Sequence, residues 1–173
     1  MMPAPHADAA AAHRALFVEL VEDFCRAATL PPVELAPVEP VLTVKARCGD
    51  VDFLFEHALS RRPVLMRVGC EFGRLPQGER RLPALHRLLQ LQHASVPFET
   101  CLGVVPGSGV VLQTIALPLA RVTLASLRQS MVQMRACALE WRSSGFLGVS
   151  TPSQVALKGR DLVSPGLMLA RVH

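Results

Sequence analysis

The chain has 173 residues, half of them apolar, and carries 18 Lys and Arg against 14 Asp and Glu, for a formal net charge of +4. One domain of that length with that apolar content buries a real core, which excludes disorder throughout. No apolar run reaches the ~18 residues a membrane helix needs, and no basic segment precedes an apolar one at the N-terminus, so a cytoplasmic protein without membrane insertion is expected.

The first twelve residues read as an alanine-rich lead-in that joins a helix between Asp8 and His13. From His13 to Ala28, Leu16, Phe17, Leu20, Val21, Phe24 and Cys25 share one face, and Glu19, Glu22, Asp23 and Arg26 the other, the spacing of an amphipathic helix. Pro31 and Pro32 end it, and a Pro/Glu-rich linker runs to Pro40. Three strands follow. Val41 to Arg47 alternates with Leu42, Val44 and Ala46 on one face, and Cys48-Gly49-Asp50 makes a tight turn. Val51 to Glu56 turns Val51, Phe53 and Phe55 inward, and Val64 to Phe72 repeats the pattern, completing an antiparallel meander with one buried face.

The stretch Leu82 to His93 is a helix with Pro83 in its first turn, and its leucines at 82, 85, 88, 89 and 91 sweep an arc of roughly 180°. That is wider than one packing face needs. Leu82 and Leu89 are expected to face the sheet, and Leu85, Leu88 and Gln92 to meet a second copy. Thr100 to Val105 and Val110 to Leu117 then flank Pro106-Gly107-Ser108-Gly109 as a hairpin. Both faces of its later strand are apolar, which suits a partner-binding sheet. Thr123 caps a last helix with Leu124, Leu127, Met131, Met134, Ala138 and Trp141 at helical spacing. Periodicity fades after residue 142, so residues 1–142 form the α/β domain and 143–173 a tail with apolar pieces at Gln154 to Leu157 and Leu162 to Val172. The fold class is therefore α+β, in the order α-β-β-β-α-β-β-α, with a twisted antiparallel sheet flanked by helices.

Motifs that carry chemistry are scarce. There is no phosphate loop, dinucleotide fingerprint, nucleophile elbow or zinc-protease motif. Ser108 between glycines belongs to a hairpin tip. The pairs His6/His13 and His86/His93 are seven apart with no carboxylate or cysteine at ligand spacing, and the five cysteines never form a CxxC pair, so neither metal nor cofactor is expected. Residues 57–173 hold fourteen of the 18 basic residues, Arg61, Arg62, Arg74, Arg80, Arg81 and Arg87 among them. They fit a solvated rim, an acidic partner, or a phosphate-tracking patch, although aromatic stacking platforms are few.

In its order of elements, the chain resembles the class I chaperones of bacterial type III secretion, the Tir-chaperone-like family. The resemblance covers roughly residues 13 to 142 and rests on LFVELVEDFCRAATLPPVEL, VLMRVGCEFGRLP, LPALHRLLQLQH, CLGVVPGSGVVLQTIALPL and LASLRQSMVQMRACALEW. It implies a bacterial, cytoplasmic homodimer without enzymatic activity. Such a dimer binds the N-terminal chaperone-binding segment of secreted effectors and keeps it extended for the export ATPase. Carried onto this chain, it implies effector contacts at Leu16, Phe17, Leu20 and Phe24 on the first helix and at Val110, Leu112 and Thr114 on the hairpin, and a dimer surface at Leu85, Leu88, Leu89 and Gln92. The alternative is a basic regulatory module binding nucleic acid or an acidic protein. Two features depart from the family: a basic charge balance, and some thirty residues beyond the last helix. The apolar pieces of that tail suit an intramolecular occupant of the effector groove, in which case deleting residues 143–173 strengthens effector binding.

Overall fold

The computed structural model describes residues 5–33, 35, 40–94, 100–147 and 167–171, with the backbone alone at 5–8, 94 and 167–171. Three helices and a six-stranded antiparallel sheet make up the α+β fold: α1 (Pro5–Ala27), β1 (Val41–Cys48), β2 (Val51–Ala58), β3 (Leu65–Arg74), α2 (Arg81–Ala94), β4 (Cys101–Val104), β5 (Val110–Pro118), α3 (Leu124–Ser144) and β6 (Leu167–Arg171). The strand order is β4-β5-β3-β2-β1-β6. Five of these strands are those expected from the sequence, β1 to β3 by their alternation and β4 and β5 as the hairpin, while β6 lies in the tail and was not expected. The tail piece at Gln154 to Leu157 is outside the described residues.

The helix α1 begins earlier than the apolar pattern suggests. Pro5 suits a first helical turn, and the alanines after it are the best helix formers, so propensity extends the helix where packing does not demand it. At its other end Thr29 takes a positive φ of 55° while Leu30 N–H bonds to Cys25 O at 2.9 Å, a left-handed stop that precedes the two prolines.

One face of the sheet carries the core. Leu42, Val44 and Ala46 of β1 stand opposite His57, Phe55 and Phe53 of β2, and Phe55 and Phe53 stand opposite Val68 and Cys70 of β3; all are buried. The helix α1 covers them with Phe17, Leu20, Val21 and Phe24, and α3 with Leu127, Met131, Met134, Ala138 and Trp141. The rings of Phe24 and Phe55 meet edge to face at 5.3 Å. Thr123 and Ser126 form a reciprocal capping box at the start of α3, as its N-cap chemistry leads one to expect. The helix ends at Gly145 with φ 62°, and Phe146 then folds back against Phe72 and Trp141 with ring centroids 6.0 and 5.4 Å away. Phe146 is buried, so the α/β unit takes in residues just beyond 142. A deletion beginning at 143 would remove core together with tail.

A histidine lies in this core. His57 is fully buried, its Nε2–H donates to Pro63 O at 2.8 Å, and its ring stacks on Phe17 at 5.4 Å. Its Nδ1 has no hydrogen-bond partner among the described residues. Burial lowers its pKa below the ordinary value, and the nearby Arg14 and His13 charges act the same way against the opposing Pro63 bond. The unfolded chain therefore takes up the proton first as pH falls. The stability this residue contributes is fully present above about pH 6.5 and drains away as pH drops toward the lower folded value. We expect the unfolding free energy from urea titrations to fall between pH 7.5 and pH 5.5 with a slope of up to about 1.4 kcal/mol per pH unit, and His57→Gln to flatten that part of the profile.

Candidate functional site

Among the described residues no group of three or more His, Cys, Asp or Glu is placed to hold a metal ion. All five cysteines are free thiols; Cys70 and Cys25 are buried, and burial pushes both upward, away from the thiolate that reactivity needs. Ser108 sits at the β4–β5 hairpin tip, where its Oγ accepts from Val110 N–H at 3.2 Å, a turn-forming role. Three surfaces stand out.

The first lies along the outer side of α1. A groove of about 740 Å³ runs between Ala11, Ala15 and Val18 of the helix and Leu59 after β2, with Arg14, Glu19 and Glu22 at its margin. Its floor is apolar because the same helix that buries Phe17, Leu20 and Phe24 places small residues on its flank. Those three aromatic and leucine side chains are 0%, 8% and 1% exposed, so in the folded chain they anchor α1 on the core. Leu16, at 39%, lies on the outer side.

The second surface is the outer face of the sheet. Register puts Val110, Leu112 and Thr114 on it, opposite Arg74, Glu71 and Gly69 of β3, and all three are half-buried. A cavity of about 400 Å³ opens there, lined by Glu56, Arg61, Arg62, Arg67, Thr114 and Ala116. This face is the one turned away from α1 and α3. The α1 residues and the hairpin residues therefore do not form two walls of one groove within a single chain.

The third surface is α2. Ala84 and Leu88 are its buried residues, whereas Leu82 and Leu89 are 76% and 69% exposed. The expected orientation is thus reversed: the sheet side takes Ala84, whose small size allows α2 to approach Gly145 at the end of α3. Leu85 is half-buried and packs on the core margin. Gln92 spends its side chain within the chain, donating to Thr100 O at 3.1 Å and accepting from Leu102 N–H, which ties α2 to β4. The signal for this orientation was present as Ala84, the one small residue of the leucine-rich stretch before Ala94.

No family model matches the sequence, and no curated protein matches it. Solved structures do. A chain of the ExsC-ExsE complex superposes with a TM-score of 0.57 at 15% identity, covering 73% of this chain and 90% of that one. A chain of the HopA1-SchA chaperone-effector complex superposes with a TM-score of 0.53 at 15% identity, covering 75% and 95%. The fold is that of the class I type III secretion chaperones, as the element order implies.

Proposed function

We propose that this chain is a non-catalytic chaperone of type III secretion. It binds the N-terminal chaperone-binding segment of one or more secreted effectors in the cytoplasm and holds it extended for the export ATPase. The observation that supports this best is the apolar groove along α1 in a chain of this fold. A chaperone needs apolar grooves that accept side chains from an extended segment, each anchor contributing about 1.5 to 3 kcal/mol gross before the segment's ordering cost. Ala11, Ala15 and Val18 form such a lining, and Leu16 is a further exposed apolar side chain on the same helix. The half-buried Val110, Leu112 and Thr114 form a second contact area on the outer sheet face, reached by a segment that wraps around the molecule.

The working unit in this reading is a homodimer joined through α2. Two exposed leucines seven residues apart make an apolar stripe that a monomer has no reason to keep, with half-buried Leu85 beside it. Leu88 and Gln92 support that surface from inside.

Co-expression with candidate secreted proteins, followed by native mass measurement, tests the reading. The expected product is two copies of this chain with one effector segment. Ala11→Glu with Ala15→Glu, both at exposed positions, should weaken capture by about tenfold or more without moving the melting temperature. A monomer that binds DNA and captures no secreted protein would overturn the reading.

A further inference from the structure

The outer face of the sheet turns to small residues beside the loop between β2 and β3. Across it Glu56 of β2 stands opposite Arg67 of β3, and Arg67 opposite Ala116 of β5. The neighbouring row sets Gly69 opposite Thr114, and Thr114 opposite Cys101 of β4. Ala58 and Ala116 leave room above the sheet, and with Leu65 they give the cavity of about 400 Å³ an aliphatic floor. That volume lies within the range of roughly 300 to 1,000 Å³ in which small-molecule sites fall.

The wall of the cavity is cationic. Arg61 and Arg62 come from the β2–β3 loop, which is pinned twice: His57 Nε2–H donates to Pro63 O at 2.8 Å, and Leu65 N–H donates to Arg62 O at 3.0 Å. Both side chains therefore start from a fixed backbone, and ordering them around a ligand costs less than on a loose loop. Arg67 donates from Nη1 to Glu56 Oε1 at 3.2 Å, which steadies its guanidinium and leaves Nε and Nη2 for another acceptor. Three guanidinium groups thus border the cavity against the single carboxylate of Glu56 among the described residues.

Those forks match the oxygens of a phosphate, and three of them exceed what the two oxygens of one carboxylate can occupy. A phosphate monoester offers three terminal oxygens and a charge of about −1.5 to −2 at pH 7. No aromatic ring is among the described lining residues, so a nucleobase has no platform to stack on. An aliphatic floor beneath a cationic wall suits an anion whose body is aliphatic.

We propose that this cavity binds a small phosphate monoester with a short aliphatic body, the phosphate held by Arg61, Arg62 and Arg67 and the chain laid over Ala58, Leu65 and Ala116. The site stands independently of the chaperone reading. It also gives part of the chain's basic charge a task.

The test uses the full chain and hexyl phosphate. Cys101 is an exposed thiol in the lining, so bound ligand should slow its alkylation by N-ethylmaleimide in a saturable way, followed by peptide mass. The concentration that halves the rate should be about tenfold lower or more for hexyl phosphate than for inorganic phosphate, which lacks the chain, or heptanoate, which has one charge and two oxygens. Adenosine monophosphate should do no better than inorganic phosphate. Arg61→Gln with Arg62→Gln, both at exposed positions, should weaken protection by hexyl phosphate about tenfold or more at an unchanged melting temperature. Glu56→Gln removes the carboxylate that competes for Arg67 and should strengthen protection about threefold, a gain that a damaged fold would not produce. Ala116→Leu fills the floor and should bring hexyl phosphate to the level of inorganic phosphate.

No protection by hexyl phosphate, or protection unchanged in the double arginine variant, would overturn the site. Equal potency of heptanoate would overturn the choice of phosphate, and equal potency of inorganic phosphate the aliphatic body. Weaker protection in Glu56→Gln would overturn the part given to Arg67.

Discussion

Charging Leu88 is expected to unfold the chain, and charging Leu82 and Leu89 on the same helix to separate two copies while leaving each folded. Leu88 is 5% exposed, and α2 is seated on the core through it and Ala84. Leu88→Asp forfeits the transfer and packing of a buried leucine, about 2 to 5 kcal/mol, and buries a carboxylate without a partner, which costs about 1 to 3 kcal/mol more. Against a total stability of about 5 to 15 kcal/mol, that brings the variant to the margin or past it, read as loss of the cooperative urea transition. Leu82→Glu with Leu89→Glu touches side chains already in water, so each folded chain should keep its stability within about 0.5 kcal/mol. Across a two-fold interface the same pair removes four leucines at about 1.5 kcal/mol each, roughly 6 kcal/mol or a 10⁴-fold weaker association. Sedimentation equilibrium on the double variant checks this. A dimer of unchanged affinity would show that α2 is not the contact between copies.

That reversed orientation marks where sequence reasoning runs out. β1 and β2 were legible because one buried face imposes a strict alternation: Leu42, Val44, Ala46 and Val51, Phe53, Phe55 are each at or below 2% exposure. The buried face of α1 was legible for the same reason, but the groove on its flank was not. The largest apolar side chains in an amphipathic pattern, Phe17, Leu20 and Phe24, are the ones the core claims, and the open groove falls to alanines that attract no attention in a sequence. In α2 the leucines span about half of the helix, roughly 180°, so hydrophobicity does not say which part of that arc turns inward, and only the close approach at Ala84 reveals the inner side. Strand β6 was hidden for another reason. Strand pairing joins residues 44–48 to 167–171, and no local pattern names a partner more than a hundred residues away. The element order, by contrast, depended only on local periodicity, and it was enough to point to the chaperone fold.

Arg142 is a residue the periodic pattern passes over, and its truncation should cost more than any exposed ion pair in the molecule. It lies seven residues after Arg135 on α3, so both side chains leave the helix on nearly the same side, toward the tight turn between β1 and β2. Arg142 donates from Nε to Phe72 O at 2.9 Å, from Nη1 to Asp50 O at 2.8 Å and from Nη2 to Glu71 O at 3.2 Å. Two of those carbonyls belong to the irregularity in β3, where register with β5 shifts between Glu71 and Gly73 and Gly73 takes φ 108°. A bulge turns carbonyls out of the ladder, and the planar guanidinium collects them. Arg135 assists by donating from Nε to Cys48 O at 3.3 Å. The Asp50 carboxylate, 3.4 Å from Arg142 and 3.7 Å from Arg135, is 60% exposed and contributes little beside these bonds. Arg142→Met keeps the aliphatic stem and removes all three donors, and should lower stability by about 2 to 4 kcal/mol, seen as a reduced urea midpoint at unchanged slope. Arg142→Lys should recover less than half, because one ammonium cannot span three carbonyls set for a fork. Asp50→Asn should lose under about 1 kcal/mol. The loss from Arg142→Met should also persist in 1 M salt, roughly 3 Å of screening length, since its acceptors are backbone carbonyls. A salt-sensitive loss, or an Asp50→Asn effect as large as that of Arg142→Met, would place the energy in the ion pair and not in the clamp on the β3 bulge.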